Sequence, residues 1–477
     1  MQRQTKIIAT LGPSVASEQA IRALIDAGMD VARLNFSHGD HELHRQMFEW
    51  VRSASEDTGR SVAVMQDIQG PKLRIGTFPG GEIELRKDAE VALTAASAER
   101  AAGVIQVGYE KLLEDVSPGH RVILGDGMVS LEVVGRSDGA LLARILEDGS
   151  LSDHQGVAFP DSSLSAVGIT EKDEVDLAFG KKLGVDYVAA SFVRAAADVE
   201  AVASLCGDVP VIAKIELAQA LDNLDEILAA SFGVMVARGD LGVQVPLERL
   251  PLIQAEILEK ANAAGSISIT ATEMLESMIT NPRPTRAEVT DVATAVTEGT
   301  DAVMLSGETA IGDYPIQAVA AMARICQTVE EGTLPGRGEH PVSFVGDENN
   351  IASAVALAAT HIAGNVGAST IVAFTETGNT ARLISKYRPE QRVVAFTPNP
   401  DTQRRMSLYW GVIPHHFERR DYTDDEIALA ASILRSEGVC VHGETVVMVA
   451  GVPPHLKAST NLVKVHRIGE LSGGLGG

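Results

Sequence analysis

The chain has 477 residues, 45% of them hydrophobic, and carries 64 Asp and Glu against 40 Lys and Arg, a formal charge of −24. That length calls for about two to four domains, and the acidic balance argues against nucleic acid or an anionic membrane as the main partner. Any phosphorylated ligand must then be met by a local cluster of Lys and Arg. The three cysteines, Cys206, Cys326 and Cys440, are far apart and show no metal-ligand spacing, which points to a reducing compartment. No apolar run reaches membrane-spanning length and no signal-peptide pattern is legible, so a soluble, cytoplasmic protein is expected.

In chain order, the first predicted elements are short apolar runs of strand length at residues 6–10, 31–34 and 62–65. Polar residues follow at once: Asn35-Phe-Ser-His38 after the second, Gln66-Asp67 after the third. A stretch of roughly a hundred residues then intervenes, far beyond the usual strand-to-helix connection. From Leu73 to about Val167 it is Gly-rich, with alternating segments at 82–85, 121–124, 129–133 and 141–144. This predicts an inserted, β-barrel-like domain that acts as a lid and excludes water.

The apolar runs resume at 187–190, 211–215, 233–236, 267–270 and 302–305. They end in Ser191, Glu216, Arg238-Gly-Asp240, Thr272-Glu273 and Ser306-Gly-Glu308. Near-continuous apolar strands imply burial on both faces, as in parallel sheets. Eight such units separated by helix-like segments predict a (β/α)8 TIM barrel, whose active site lies at the C-terminal strand ends. The segments Ile212-Ala-Lys-Ile-Glu216 and Val236-Ala-Arg-Gly-Asp240 place Lys214 with two carboxylates, Glu216 and Asp240, on that rim. Mg²⁺ takes one or two protein carboxylates and completes its shell with water and phosphate oxygens. A fixed lysine beside it suits phosphoryl transfer, where negative charge spreads over the phosphoryl oxygens.

The Gly- and Pro-rich segment Gly332-Thr-Leu-Pro-Gly-Arg-Gly-Glu-His-Pro341 marks a linker. Beyond it, helices over 351–363 and 381–387, strands over 370–374 and 392–396, and further strands near Val446 and Val463 predict a C-terminal α/β domain. Its loop Thr375-Glu-Thr-Gly-Asn-Thr380 joins a strand to a helix N-terminus. The hydroxyls of Thr375, Thr377 and Thr380, with Gly378, Asn379 and the helix dipole, form a candidate phosphate site for an effector. The expected domains are barrel 1–71, lid 72–167, barrel again 168–340 and a regulatory α/β domain 341–477.

Seven motifs carry a family resemblance. They are Met29-Asp-Val-Ala-Arg-Leu-Asn-Phe-Ser-His-Gly39, Gln69-Gly-Pro-Lys72, Ala213-Lys-Ile-Glu216, Met235-Val-Ala-Arg-Gly-Asp-Leu-Gly242, Ala271-Thr-Glu-Met-Leu-Glu-Ser-Met278, Pro282-Arg-Pro-Thr-Arg-Ala-Glu288 and Met304-Leu-Ser-Gly-Glu-Thr309. Through them nearly the whole chain resembles the pyruvate kinase family, with the same order of barrel, lid and C-terminal domain. The resemblance implies phosphoryl transfer from phosphoenolpyruvate to ADP, giving pyruvate and ATP in glycolysis, by an allosteric, cytoplasmic homotetramer.

It also implies roles. Glu216 and Asp240 would hold Mg²⁺, with Mn²⁺ as the alternative. Lys214 and Arg33 would neutralise the group in transfer, the arginine gripping planar oxygen arrays. Gly239 and Asp240 offer backbone amides to the substrate carboxylate. Thr272 would bond the substrate and help protonate the enolate, a bound water being the other candidate. Asn35, His38, Arg74 and Asp126 match positions near the nucleotide phosphates, in a chain with no Gly-x-x-x-x-Gly-Lys loop. Many members need K⁺ at positions equivalent to Asn35, Ser37 and Asp67. Here Ile68, Gln69 and Lys72 match the K⁺-independent, bacterial-type branch, the Lys72 ammonium standing in for the ion.

Two departures stand out: Glu273 where many members carry glutamine, and Asp153-His-Gln-Gly156 in place of a lysine-rich lid turn. At Glu376, members activated by fructose 1,6-bisphosphate tend to carry lysine, so a monophosphate effector is expected instead. Arg283 and Arg286 are expected to fix the loop after the seventh barrel strand. The competing readings are a Mg²⁺-dependent barrel lyase or aldolase acting on an enolate of pyruvate, and a catalytically inactive phosphometabolite sensor.

Overall fold

The computed structural model describes residues 3–95, 104–165, 168–332, 350–452 and 460–469. Eight parallel strands close a barrel: β1 (Lys6–Leu11), β2 (Val31–Asn35), β3 (Ala63–Asp67), β4 (Tyr187–Ala190), β5 (Val211–Ile215), β6 (Gly233–Ala237), β7 (Ile267–Ala271) and β8 (Ala302–Leu305). Neighbours in sequence are neighbours in the barrel, and β8 pairs with β1 to close it.

Alternation explains why these strands read as unbroken apolar runs. Ile8, Val31, Met65, Ala189, Ile212 and Met235 belong to the core inside the barrel. Their sequence neighbours Ile7, Ala32, Val64, Val188, Ala213 and Val234 pack outward against the helices. Both faces are dry, as the composition of the strands requires.

The chain leaves the barrel after β3 and returns before β4. Between them lies the lid, whose barrel-like expectation takes the form of two sheets. A six-stranded sheet runs in the order Val157–Ala158, Arg121–Leu124, Val129–Ser137, Ala140–Ile145, Glu90–Ala95, Val104–Val107. A two-stranded sheet pairs Glu82–Leu85 with Gly149–Ser152. The lid has its own core around Leu93, Val122, Leu131 and Leu141.

Most of the expected linker lies outside the described residues; Gly332 itself ends the helix Pro315–Gly332. The C-terminal domain opens with the helix Ile351–Asn365. Its sheet contains β9 (Thr370–Phe374), β10 (Arg392–Thr397), β11 (Val412–His416), β12 (Thr445–Ala450) and β13 (Leu462–Arg467) in the order β11-β10-β9-β12-β13. All pairs are parallel except β12 with β13.

This domain plugs the N-terminal end of the barrel, and one apolar core runs from Ile8 and Tyr187 inside the barrel to Tyr409 and Val447 below it. Polar ties surround that plug. Lys386, fully buried, pairs with Asp301 at 2.5 Å, and Arg388 reaches the same carboxylate at 2.8 Å. Arg404 bonds Asp186 at 2.9 Å, and Lys6 donates to the Val412 carbonyl at 2.8 Å.

Candidate active site

Strand parity selects the residues at the mouth. In a strand every second residue shares a face, so the inward series Ile8, Val31, Met65, Ala189 and Ile212 continues as Thr10, Arg33, Asp67, Ser191 and Lys214. One step further along β5 is Glu216. These six side chains form one connected network, sunk below the rim.

The Lys214 ammonium contacts Glu216 Oε1 at 2.8 Å, Ser191 Oγ at 2.8 Å and Asp67 Oδ1 at 3.2 Å. Arg33 donates Nε to Asp67 Oδ2 at 2.7 Å and Nη1 to Thr10 Oγ1 at 2.9 Å. The Thr10 hydroxyl donates a hydrogen bond to the Leu305 carbonyl at 2.8 Å, and Ser191 donates one to the Ile68 carbonyl at 2.7 Å. The second Glu216 oxygen accepts from the Phe192 amide at 2.7 Å. Thr10 and the contacts of Ser191 were not anticipated from the sequence, although the same two-residue step would have found them.

Burial pushes the Lys214 pKa down, but Asp67 and Glu216 outweigh it and leave the ammonium more firmly protonated than usual. Asp67 is likewise held below the ordinary carboxylate range: burial opposes its charge, and Arg33 and Lys214 prevail. Glu216 goes the other way. Burial lifts its carboxyl, and Asp240 and Asp67 add to the lift against the pull of Lys214. Two buried cations thus meet two buried anions, so an incoming phosphate brings charge that nothing resident cancels. Among the described residues no cluster of three or more His, Cys, Asp or Glu could hold a metal. A pair of carboxylates, Glu216 and Asp240, nonetheless fits Mg²⁺, which uses one or two.

Asp240 lies in the first turn of the short helix Arg238–Gln244 after β6. Its Oδ1 is 3.2 Å from the Lys72 ammonium, which also lies 3.4 Å from Asp126 of the lid. Burial disfavours the Lys72 charge, but Asp240 and Asp126 raise its pKa. Lys72 therefore bridges lid and barrel at Asp240, while Asp67 is neutralised by Arg33 and Lys214. A cleft between lid and barrel opens here, lined among others by Lys72, Asp126, Phe159, Phe192, Glu216 and Asp240.

Thr272 follows β7 with a left-handed φ of 67°, and Glu273 with 54°. Two such residues in succession are strained unless held, and Arg238 holds them, donating to the carbonyls of Thr272 at 2.7 Å and Glu273 at 3.1 Å while pairing with Asp291 at 2.6 Å. The Thr272 hydroxyl accepts from the Gly239 amide at 2.8 Å and donates to Ala271 at 2.6 Å. A Cβ on Gly239 would make only ordinary contacts of 3.5 Å or more, so packing alone does not demand glycine there.

The remaining positions are more open. Asn35 Oδ1 accepts from the Ser37 amide at 3.1 Å, His38 is exposed, and Arg74 donates to the His154 carbonyl at 2.9 Å. The loop after β7 is fixed by Glu288, which accepts from the amides of Ser277 and Thr285, each at 2.7 Å. Arg283 lies exposed on this loop, and Arg286, also exposed, opens the helix Arg286–Thr297, which corrects the role expected for them: the loop is tied by Glu288 and by the buried Arg238, whose donors reach its carbonyls.

Far from this site, the loop Thr375–Thr380 uses two of its three hydroxyls internally. Thr375 accepts from the Gly378 amide at 2.9 Å, and Thr380 bonds Thr460 at 2.7 Å; only Thr377 is exposed. Gly378, with φ of 86°, caps the helix Asn379–Lys386, which starts two residues earlier than expected. Glu376 is ion-paired with Arg419, a residue the sequence alone did not single out.

A parallel barrel with a β lid and a rim of paired cations and carboxylates is the architecture of a barrel enzyme that handles phosphorylated substrates. The chain belongs to the pyruvate kinase family. Residues 2–319 match the family model "Pyruvate kinase, barrel domain", and residues 353–466 match "Pyruvate kinase, alpha/beta domain". A pyruvate kinase of Geobacillus stearothermophilus is 42% identical over 99% of this chain and 81% of its own length. One of Mycobacterium tuberculosis is 41% identical over 98% of this chain and 99% of its own. The crystal structure of a pyruvate kinase from Cryptosporidium parvum superposes with a TM-score of 0.92 at 36% identity, covering 98% of this chain and 96% of that one.

Proposed function

We propose that the chain moves the phosphoryl group of phosphoenolpyruvate onto ADP in a Mg²⁺-dependent reaction under allosteric control. The bond between phosphorus and the enolate oxygen breaks, a bond to an ADP β-phosphate oxygen forms, and the enolate carbon takes a proton to give pyruvate. The observation that carries this reading is the buried, charge-balanced network of Arg33, Asp67, Lys214 and Glu216. Glu216 and Asp240 would hold Mg²⁺, which when bound supplies positive charge against the negative phosphoryl oxygens. Lys214 and Arg33, already aimed and desolvated, then stabilise the charge that develops without reorganising. A docking carboxylate would take over the Gly239 amide, and the Thr272 hydroxyl would then turn from the Ala271 carbonyl toward the substrate.

Asn35, His38, Arg74 and Asp126 would receive the nucleotide, with the lid closing over it. Lys72 adds a tethered cation to the cleft, so K⁺ is not required. The loop Thr375–Thr380 would seat one phosphate of an effector. Exposed Leu247, Leu252 and Ile311 on the barrel, and Ile351 and Leu357 on the helix Ile351–Asn365, support burial of these faces in a homotetramer. No helix among the described residues is long and apolar enough to cross a membrane. A cytoplasmic place in glycolysis follows from the proposed reaction.

The test is a lactate dehydrogenase-coupled assay. Pyruvate formed from phosphoenolpyruvate only when ADP is supplied supports the kinase. Pyruvate formed without ADP would mean hydrolysis of the phosphate ester in place of transfer, and no pyruvate in either case would count against the kinase and leave the lyase and the sensor.

A further inference from the structure

Two side chains from two helices grip the backbone of the loop Asn35-Phe-Ser-His38-Gly39 from behind. His44, in the first turns of the helix His41–Thr58, is 5% exposed, and its Nε2 lies 2.9 Å from the His38 carbonyl oxygen. A carbonyl only accepts, so Nε2 carries the proton. Nδ1 is then bare, and it is buried with no partner among the described residues. The ring stacks on Phe36, 4.1 Å between centroids and 12° from parallel. Burial keeps the imidazole pKa below its usual value, against the pull of the His38 carbonyl, so the neutral donor is the resting form.

Lys172, near the start of the helix Glu171–Leu183, donates to the Phe36 carbonyl at 2.7 Å. It is held by Asp176 at 2.6 Å, and Asp176 also takes His41 at 2.7 Å. The helix is itself anchored: Thr170 and Asp173 form a capping box, and the buried Asp173 accepts from the Gly70 amide at 3.0 Å. Neither His44 nor Lys172 joins the network at the barrel mouth. Both end on carbonyls of one loop, the one that carries Asn35 and His38.

We infer that His44 and Lys172 are positioning residues for the nucleotide: by tethering the carbonyls of His38 and Phe36 they fix the loop that presents Asn35 and His38. This rests on the proposed role of Asn35 and His38 in holding ADP. An untethered loop samples more conformations, and ADP must order it on binding. Phosphoenolpyruvate, held elsewhere on the rim, is unaffected.

His44→Phe separates positioning from structure, because it keeps the stack on Phe36 and removes both the donor and the unpartnered Nδ1. The expected result is a KM for ADP raised about tenfold, kcat within twofold, unchanged phosphoenolpyruvate binding and no loss of Tm. Lys172→Met should shift the KM for ADP the same way, and His44→Gln and Lys172→Arg, which restore a donor, should recover most of it. Asn35→Ala is measured alongside. If it raises the KM for ADP while His44→Phe and Lys172→Met do not, the inference is overturned and the nucleotide loop stands. If Asn35→Ala also leaves that KM unchanged, the assignment of the loop to ADP fails and the inference with it.

Discussion

Replacing Lys214 with methionine leaves the buried Asp67 and Glu216 facing Arg33 alone. Binding of metal and substrate should survive, because the carboxylates and the Gly239 amide remain. The barrier should rise by about 3 kcal/mol, the scale found for removing one preorganised donor, or roughly a hundredfold in kcat. A Lys214→Met enzyme within tenfold of wild type would refute the assignment. Glu216→Gln should instead raise the Mg²⁺ concentration needed for half activity. If Glu216 holds the metal, protons should compete for it there, since its pKa is raised by burial and by Asp240 and Asp67 against Lys214. In the wild type that Mg²⁺ requirement should therefore climb as pH falls toward the raised pKa. At Lys72, full activity is expected with tetramethylammonium as the only monovalent cation, and Lys72→Glu should create a K⁺ requirement. A tenfold or larger gain in the wild-type rate on adding K⁺ at constant ionic strength would overturn that expectation.

Elements differ in how plainly the sequence announces them. The barrel strands were legible because both faces are buried, which disfavours polar residues before the rim; exceptions such as Ser268 and Thr270 of β7 are hydrogen-bonded to Asp301 and Thr300. Lid strands Glu90–Ala95 and Val104–Val107 were not, since their mixed polar and apolar residues resemble loops. β11 was hidden by Pro414; it lies at the edge of its sheet, where proline is tolerated because a missing N–H need not disrupt the ladder. The loop Thr375–Thr380 was placed correctly between strand and helix, but the charge of Glu376 was taken as unpaired. Glu376 is engaged by Arg419, so a phosphate arriving there must win the guanidinium from a carboxylate. A bisphosphate gains little under that competition, whereas a monophosphate such as AMP or a sugar monophosphate needs only the helix end and Thr377. Titration at sub-saturating phosphoenolpyruvate should show activation by a monophosphate and a poor response to fructose 1,6-bisphosphate. Strong activation by micromolar bisphosphate would refute this, and Glu376→Gln should improve the bisphosphate response.

Across the whole molecule, the barrel and the C-terminal domain share one apolar core and a buried ionic lock at Asp301. Such locks are costly to break one partner at a time, because the remaining charge stays buried. Lys386→Met should cost about 3 kcal/mol, the low end for a buried pair, since Arg388 still reaches Asp301. The check is the urea midpoint. A shift too small to measure would mean that the lock contributes specificity of docking and no stability. Sequence gave no warning of this lock: Lys386 sits in an ordinary helical pattern, and its partner lies before β8, 85 positions away.

The tie made by Asp173 bears on how the chain is built during synthesis. β3 is finished long before its partner β4 emerges, so one edge of the nascent sheet waits through the translation of the whole lid. Domains generally fold as units as they leave the ribosome, and the lid has a core of its own. Asp173 bonds Gly70, where the chain enters the lid, and Thr170, where it leaves. A lid that has already folded thus presents its two ends side by side. The long excursion then closes with the entropy of a short loop, and β4 is delivered to the waiting edge of β3 before another strand can claim it.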